Sequence, residues 1–318
     1  MKPIIDNMTK IIRVAVILAS YNGGKYIGEQ IDSILDQKEV EINIFLFDDD
    51  SNDNTIKIVE EINDERITII KKDNGSGSAA KNFLQAIVNL DSYCNFQYDY
   101  VAFSDQDDVW LDLKLSKAIE CLSESKSELY TSNLTMWDDK TKSKTTLVKS
   151  GRQAKYDYLF EGGSAGCTYV LSSSFFEIVK TNVTNINLKN WKYLSHDWLV
   201  YFIARKNNFK VYMDNNSYIL YRIHENNVHG HMNRLLYKGV MEKIKYVREG
   251  WYFDHIAGFD QLLSSSSTEK YIYKMYGKNI FTRIFILARY NFSLMRNVKK
   301  YFVFSVLSLI PVNRKYKS

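Results

Sequence analysis

The feature that most constrains the fold is a fourfold alternation of short apolar runs and amphipathic stretches within the first 120 residues. The apolar runs have the length and the β-branched composition of buried strands, and they span 13–18, 41–47, 66–70 and 100–104. The stretches that follow them show helical spacing of apolar residues, at 27–35, 56–62, 78–90 and 113–122. Such alternation predicts an α/β fold, with a doubly wound sheet of parallel strands joined by right-handed crossovers.

Composition excludes several classes of protein. The chain has 318 residues, of which 45% are hydrophobic and 25% are charged. These values are typical of a globular protein with a real core, and they argue against disordered, collagenous and coiled-coil chains. Three separated cysteines with no CxxC pair argue against structural zinc and suit a reducing compartment. No apolar signal sequence begins the chain, so a cytoplasmic location is expected.

Charge is distributed unevenly along the chain. Residues 231–318 hold 16 Lys and Arg against 5 Asp and Glu, whereas the first 230 residues hold 26 basic and 32 acidic residues. A nucleic-acid binder would carry its basic charge on the binding domain, so this pattern argues against nucleic acid as a partner. An acidic body with a basic tail suits a metal or nucleotide pocket on the body and an anionic surface under the tail.

The tail mixes its basic residues with aromatic and aliphatic ones, as in FTRIFILARYNFSLMRNVKKYFVF. Such a mixture can lie in a bilayer interface, so residues 231–318 are predicted to be a helical region on the inner face of the cell membrane. The longest uncharged run, 301–313, has 13 residues and is too short to span. The alternative is that the apolar residues pack on the body, residues 11–230, or on a second copy in a homo-oligomer.

Three of the four predicted strands run into polar segments, which read SYNGG, DDDSND and DQDD. In sheets of this kind ligands bind beyond the carboxyl ends of the strands, so these segments are expected to share one crevice. The patterns GxGxxG and GxxxxGK[ST] are absent, which disfavours a nicotinamide site and a P-loop. The pattern GxSxG occurs as GGSAG at 162–166, but it lies in a Gly-rich loop that leads into a short apolar run instead of following a strand, so a serine nucleophile elbow is not expected.

Each acidic segment has a structural alternative. In DDDSND, Asp50, Ser51 and Asp53 could cap the helix that follows, and the acids of DQDD could cap a helix that begins near Leu113. Carboxylates at a strand exit are also the ligands that Mg²⁺ and Mn²⁺ prefer, and two such exits in one sheet weaken the capping alternative. Asp197, at the start of a predicted helix, is either a general base or a helix cap.

Six blocks, in this order, resemble family 2 glycosyltransferases, and most of all the bacterial rhamnosyltransferase-like members. The blocks are VILASYNGGKYIGEQIDSIL, IFLFDDDSNDNT, FSDQDDVWLDLKL, GCTYVLS, SHDW and YRIHENNVHG. The resemblance covers about residues 13–230. It implies a GT-A fold and inverting transfer of a sugar from a nucleoside-diphosphate donor, assisted by a divalent metal, Mg²⁺ or Mn²⁺.

The resemblance also assigns roles to individual residues. The donor nucleotide would be held by Ser20, Tyr21, Asn22, Asp48, Asp49 and Asp105. The metal would be bound by Asp107 and by His224, a histidine near the donor diphosphate, and Asp197 would be the catalytic base. Gly166 and His196 would belong to the acceptor and donor loop. Two positions depart from the family pattern, because Asp50 replaces a usual glycine and His196 a usual glutamate.

The expected function is transfer of rhamnose or another hexose, from a dTDP- or UDP-linked donor, to a glycan or polyprenyl-linked acceptor of a cell-surface polysaccharide. An acidic body holds a diphosphate only with a divalent ion or local Lys and Arg, which is consistent with a bound cation. Two alternatives stay open at this point. One is a nucleotidyltransferase that acts on sugar phosphates, and the other is a membrane-recruited scaffold that binds nucleotide sugars without catalysis.

Overall fold

The computed structural model describes residues 11–224 and 236–313, with the backbone alone for 236–240. Its strands are β1 Arg13–Ser20, β2 Glu41–Asp48, β3 Ile67–Lys71, β4 Tyr100–Ser104, β5 Val109–Trp110, β6 Leu129–Ser132, β7 Leu134–Asp138, β8 Lys144–Leu147, β9 Val170–Ser172, β10 Val211–Asp214 and β11 Ile219–Ile223. Its helices are α1 Ile27–Leu35, α2 Thr55–Ile62, α3 Ala79–Asn89, α4 Lys114–Ser125, α5 Ser173–Asn185, α6 His196–Lys206, α7 Leu236–Arg248, α8 Trp251–Asp260, α9 Thr268–Lys278, α10 Ile280–Tyr290 and α11 Val298–Ser308.

Strand β1 lies near the middle of a seven-stranded sheet with the order β10-β6-β9-β4-β1-β2-β3. It pairs in parallel with β2 and β4, and β2 pairs in parallel with β3. The alternation of parallel strands and helices predicted from the first 120 residues is therefore confirmed. The register places Ser20 beside Asp48 and Leu18 beside Ser104, so the carboxyl ends of β1, β2 and β4 meet at one edge.

One strand of this sheet runs against the others. The three-residue strand β9 lies between β4 and β6 and is antiparallel to both. A strand of three residues shows no periodicity, so the sequence does not predict this arrangement. Because the direction is reversed, the start of β9 lies at the edge where β4 ends. Cys167 and Gly166 therefore approach the same edge as the DQDD segment.

A second sheet, with the order β5-β11-β7-β8, covers this edge. Strand β5 follows DQDD directly and pairs antiparallel with β11. His224 follows β11, so the pairing brings it back to the DQDD segment across more than 100 residues of sequence. The run at 218–221 predicts a short strand at this place, but the sequence does not predict the sheet to which β11 belongs.

The main sheet buries both of its faces. Along β1, Val14, Val16 and Leu18 belong to one hydrophobic cluster, while Ala15 and Ile17 belong to the other. Helices α1, α2 and α4 contribute to the first cluster, and α3, α5 and α6 to the second. This burial on two sides explains why the strands are almost continuously apolar in sequence.

The C-terminal region is helical, as predicted, and its helices pack on the body. The ring of Phe160 in the body lies 4.8 Å from the ring of Phe304 and 5.1 Å from that of Tyr276. Tyr252 and Tyr273 complete this aromatic layer. The predicted boundary at residue 230 falls within 225–235, outside the described residues, so a division of the chain there stays a prediction. Within residues 11–224 and 236–313, no helix is both long enough and apolar enough to cross a membrane.

Candidate functional site

The carboxylate of Asp48 joins the ends of β1 and β2. It accepts hydrogen bonds from the Ser20 hydroxyl at 2.8 Å, and from the hydroxyl and backbone N–H of Ser51 at 2.6 and 2.9 Å. Asp48 and Ser20 are both 2% exposed. The structure thus brings two predicted nucleotide-binding residues into direct contact, and it uses their polar groups to hold the strand ends together.

Asp49 fixes the next loop along the edge. Its carboxylate accepts hydrogen bonds from the backbone N–H and the hydroxyl of Ser76, both at 2.8 Å, and from the Lys72 ammonium at 3.2 Å. Helix α2 has Asn54 as its N-cap residue, so neither Asp50 nor Ser51 is its cap. Asp53, the third predicted capping residue, accepts the backbone N–H of Thr55, the first residue of the helix, at 2.9 Å. Asp50 has a φ of 69°, in the left-handed region that Asp tolerates better than most residues and that favours glycine.

Gln106, which sequence analysis did not single out, joins the first and fourth strand exits. Its amide oxygen accepts the backbone N–H of Tyr21 at 2.8 Å, and its amide N–H donates to the Tyr21 carbonyl at 3.0 Å. The Tyr21 side chain itself is 55% exposed. The neighbouring Asn22 donates its backbone N–H to the Ser51 hydroxyl at 2.8 Å. The SYN segment is therefore held against both acidic exits, and the only signal for Gln106 is its position inside DQDD.

The DQDD segment gathers carboxyl groups that repel one another. Burial, together with the charges of Asp107 and Asp197, raises the pKa of Asp105 to about 7. Burial and the charges of Asp107 and Asp105 raise the pKa of Asp108 well above its usual range. Helix α4 has Leu113 as its N-cap residue and no side-chain cap, so these acids do not cap it.

Two basic side chains, those of His224 and Lys114, lie near this cluster in different environments. His224 lies with its Nε2 atom 2.8 Å from Oδ2 of Asp107. Lys114 is 1% exposed, and its ammonium lies 3.5 Å from the centroid of the Trp110 ring. Burial lowers the pKa of Lys114 to about 7, so near neutral pH this lysine carries only part of its positive charge.

Arg222, which sequence analysis also missed, holds the DQDD backbone in place. Its Nε–H donates to the Asp107 carbonyl at 3.0 Å, and its backbone N–H donates to Oδ1 of Asp108 at 3.2 Å. The guanidinium lies between the rings of Tyr26 and Trp137, at 4.6 and 4.4 Å from their centroids. Its signal in the sequence is its position two residues before His224.

The cluster suits a divalent cation. Oδ2 of Asp108 is buried and, within the described part of the chain, has no hydrogen-bond partner. Ligand atoms of Asp105, Asp108 and Cys167 lie within 4.8 Å of one another. A cation would relieve the repulsion that raises the pKa values of Asp105 and Asp108. The carboxylate oxygens of Asp105 and Asp108 are hard ligands that match Mg²⁺ or Mn²⁺, whereas the Cys167 sulfur is a soft ligand that these ions do not prefer.

Asp197 lies in the first turn of α6 and close to the cluster. Its Oδ1 atom accepts the backbone N–H of Trp198 at 2.7 Å and the hydroxyl of Ser195, which is the N-cap residue. Asp197 therefore supports the helix start, and its charge also contributes to the raised pKa of Asp105. The two interpretations left open by the sequence, capping and a role in the site, are structurally compatible.

Gly166 and His196 are in contact. A Cβ atom built on Gly166 would lie 2.4 Å from Nε2 of His196. The His196 ring is stacked on Phe83, with 4.1 Å between ring centroids and 16° between ring planes. The imidazole thus lies between the loop of Gly166 and helix α3, where it has little freedom to move away.

A basic cleft opens beside these residues. It has a volume of about 310 Å³, and three lysines are among the residues that line it: Gly77, Ser78, Lys81, Lys189, Asn190, Trp191, Lys192 and Leu194. One wall continues from the loop that Asp49 holds, and the other leads into Ser195 and Asp197. Sequence analysis did not identify this cleft, because its lysines lie about 110 residues apart and form no motif.

Comparison with known sequences finds a family match. The model of "Glycosyl transferase family 2" matches residues 15–181. A "dTDP-rhamnosyl transferase RfbG" of Shigella flexneri is 37% identical over 254 residues, which cover 79% of this chain and 86% of the relative. A "UDP-Glc:alpha-D-GlcNAc-diphosphoundecaprenol beta-1,3-glucosyltransferase WfaP" of Escherichia coli is 29% identical over 175 residues, which cover 55% of this chain and 63% of the relative.

Solved structures share the fold. The crystal structure of S. aureus TarS 1-349 in complex with UDP-GlcNAc has a TM-score of 0.55 and 18% identity, and the match covers 96% of this chain and 90% of that one. Mannosyltransferase PcManGT from Pyrobaculum calidifontis, in complex with GDP-Man and Mn2+, has a TM-score of 0.54 and 13% identity. That match covers 95% of this chain and 86% of PcManGT.

Replacing Gly166 with alanine tests the contact with His196. The added methyl group would press on an imidazole held against Phe83, so we expect Gly166→Ala to lower the free energy of unfolding by about 1–3 kcal/mol. Chemical denaturation measures this change. Gly151→Ala is the matched control, because a Cβ there meets nothing within 4 Å and should change stability by less than about 0.5 kcal/mol. If both substitutions changed the free energy of unfolding equally, the close contact between Gly166 and His196 would be contradicted.

Proposed function

We propose that this chain, which belongs to glycosyl transferase family 2 and has the GT-A fold, transfers rhamnose or another hexose from a dTDP- or UDP-linked donor. The acceptor would be a glycan or a polyprenyl-linked sugar of a cell-surface polysaccharide. Family membership makes the chain an inverting glycosyltransferase rather than a nucleotidyltransferase or a scaffold. The main observation in support of a sugar-transfer site is that Asp105, Asp107, His224 and Asp197 lie close together at one edge of the sheet.

For the donor nucleotide we propose the crevice between the ends of β1, β2 and β4. Ser20, Asp48 and Asp49 are engaged with neighbouring loops, so their contribution is to hold those loops in a binding shape. The exposed Tyr21 side chain offers an aromatic surface for a base. The basic cleft that contains Lys81 lies next to this crevice and offers positive charge to a diphosphate.

For the metal we propose Asp107 and His224 as ligands, with Asp105 beside them. A divalent ion at these residues would neutralise charge that develops on the departing nucleoside diphosphate. Arg222 and Gln106 hold the backbone from which Asp105 and Asp107 project, so the carboxylates need little rearrangement to accept a cation. This fixed arrangement is the protein's own contribution to the chemistry.

For the general base we propose Asp197. An inverting transfer needs a carboxylate to take the proton of the acceptor hydroxyl while its oxygen attacks the anomeric carbon and the bond to the diphosphate breaks. Ser195 and Trp198 bind Oδ1 and fix the orientation of the carboxylate. Oδ2 is therefore the atom that we assign to the acceptor proton.

The substitution Asp197→Asn removes the proton acceptor and keeps the shape. We expect transfer to fall by about 10²–10⁴-fold, while the affinity for the donor nucleotide stays within about threefold of that of the parent protein. Released nucleoside diphosphate, measured over a panel of UDP-, dTDP- and GDP-sugars, gives the rate, and calorimetry gives the affinity. Asp64→Asn serves as control, because Asp64 pairs with Arg66 at the opposite edge of the sheet. A parallel loss of donor affinity would make Asp197 a binding residue instead.

The substitution Asp107→Asn tests the metal assignment. We expect it to weaken Mn²⁺ binding by at least about tenfold and to lower turnover, because the ion loses a charged ligand. Manganese titration monitored by calorimetry in the presence of dTDP measures the affinity. Asp50→Asn is the control, since Asp50 is an exposed acid of the same edge. Turnover that is unchanged by EDTA in the parent protein would contradict the proposed role of the metal.

For the location we propose the surface of an anionic membrane, reached through helices α10 and α11. Residues 270–313 contain eight Lys and Arg and no Asp or Glu. Both helices also expose apolar side chains: Ile280, Phe281, Ile284 and Phe285 on α10, and Val298, Phe302, Val303 and Val306 on α11. Phe281 is 79% exposed and Val306 is 68% exposed, although each helix already buries another face on the body.

Charge favours a membrane over a second copy as the occupant of this surface. A symmetric dimer would bring two identical, strongly basic faces together, which costs electrostatic free energy. Anionic headgroups would instead neutralise the Lys and Arg side chains while the apolar side chains enter the interface. A membrane surface would also place the site near an acceptor that is carried on a lipid.

Vesicle flotation tests this location. We expect the protein to float with vesicles rich in phosphatidylglycerol, to bind phosphatidylcholine vesicles weakly, and to detach as salt rises, because each basic residue contributes about 1 kcal/mol. The double substitution Phe281→Ser and Phe302→Ser should weaken binding without lowering the melting temperature, since both rings are exposed. A protein that stays in the soluble fraction and forms a dimer in light scattering would show that the surface joins two copies.

A further inference from the structure

The loop of residues 161–166 lies directly against the helix turn that carries Asp197. A Cβ atom on Gly162 would lie 3.4 Å from Cβ of Trp198, and one on Gly163 would lie 2.8 Å from the hydroxyl oxygen of Tyr169. Gly166 meets His196 in the same way. The loop can approach this closely because three of its residues lack side chains, so its own packing contributes little to its shape.

Arg296, in the connection between α10 and α11, holds this loop from the other side. Its guanidinium donates to the carbonyls of Gly162 and Gly163, at 2.5 and 2.7 Å. Its backbone N–H donates to Oε1 of Glu161 at 2.6 Å, and its Nε lies 3.3 Å from the same oxygen. The Arg296 side chain is only 6% exposed, so these hydrogen bonds are shielded from water.

The charges around Arg296 form a buried network. Asp157, whose side chain is fully buried, pairs with Arg205 at 2.8 Å and lies 3.6 Å from Nε of Arg296. The Glu161 carboxylate also receives the Lys300 ammonium at 3.0 Å. A lysine at position 296 could supply charge to Glu161. It could not donate in two fixed directions to two adjacent carbonyls, as a planar guanidinium does.

We infer that Arg296 is a positioning residue for sugar transfer: from the C-terminal region it sets the loop 161–166 against the first turn of α6, and so sets the wall of the site next to Asp197. Arg296 itself touches neither Asp197 nor the acidic cluster. The C-terminal helices would therefore complete the site, in addition to any contact with a membrane. The kinetic part of this inference rests on the proposed function, and the structural part does not.

The test compares Arg296→Lys with Arg283→Lys. Arg283 is also a buried arginine of the C-terminal region, but its guanidinium donates to the carbonyls of Tyr276 and Ser308, which belong to that region. Hydrogen–deuterium exchange of the full chain should show at least tenfold faster exchange in residues 162–166 and 195–198 for Arg296→Lys only. Arg283→Lys should change exchange within α9–α11 and leave those two segments as they are.

Kinetics give a second readout. With dTDP-rhamnose as donor and a synthetic GlcNAc-diphospho-lipid as acceptor, Arg296→Lys should raise the KM for the acceptor at least fivefold and leave the affinity for dTDP unchanged. Arg283→Lys should leave both as in the parent protein at temperatures below its unfolding. If the two variants have the same exchange pattern, Arg296 is only a structural residue and the inference is wrong. If the parent protein transfers no sugar while the exchange patterns differ as described, the proposed function fails and the positioning of the loop stands.

Discussion

Repulsion among carboxylates at one edge of the sheet is the constraint on which the rest of the site depends. The fold places Asp105, Asp107 and Asp108 in buried or partly buried positions, and Asp197 in the first turn of α6 lies near them. Lys114 offsets this charge only in part near neutral pH, because burial lowers its pKa to about 7. Burial and the mutual repulsion raise the pKa values of Asp105 and Asp108 and so favour the protonated forms of these acids. A cluster held in this state gains free energy when a divalent ion binds, and loses protons as it does so.

The surrounding elements act as a frame for this cluster. Arg222 ties the second sheet to the DQDD backbone, and Gln106 ties that backbone to the first strand exit. Both use planar groups that bond to main-chain atoms, so they determine the position of the acids. The reversed strand β9 brings Cys167 to the same edge, where a buried thiol is a neutral neighbour for carboxyl groups.

The sequence predicts those parts of the structure that repeat or that carry a local chemical signature. The first four strands and helices follow from periodicity, and the acidic exits follow from their composition. Residues such as Gln106, Arg222 and Arg296 escape prediction because their partners lie 85 to 135 residues away in the chain. The reversed direction of β9 and the pairing within the second sheet escape it, because strands of two to five residues give no signal for their partners. The C-terminal helices were predicted as helices, but which of their faces is buried depends on the body beneath them.

The reversed strand also has a consequence for the order in which the chain can be assembled during synthesis. Strands β1 to β4 can pair as soon as residue 104 has emerged, and one side of β4 then has no hydrogen-bonded neighbour. Among the described strands, only β9 pairs with that side of β4, and β6 pairs only with β9 and β10. The sheet therefore cannot be extended while residues 105–169 are being made. The open strand reads YVAFS and has no charged or proline residue to protect it from pairing with other chains. Fragments that end before residue 172 therefore carry an aggregation hazard that the complete sheet removes.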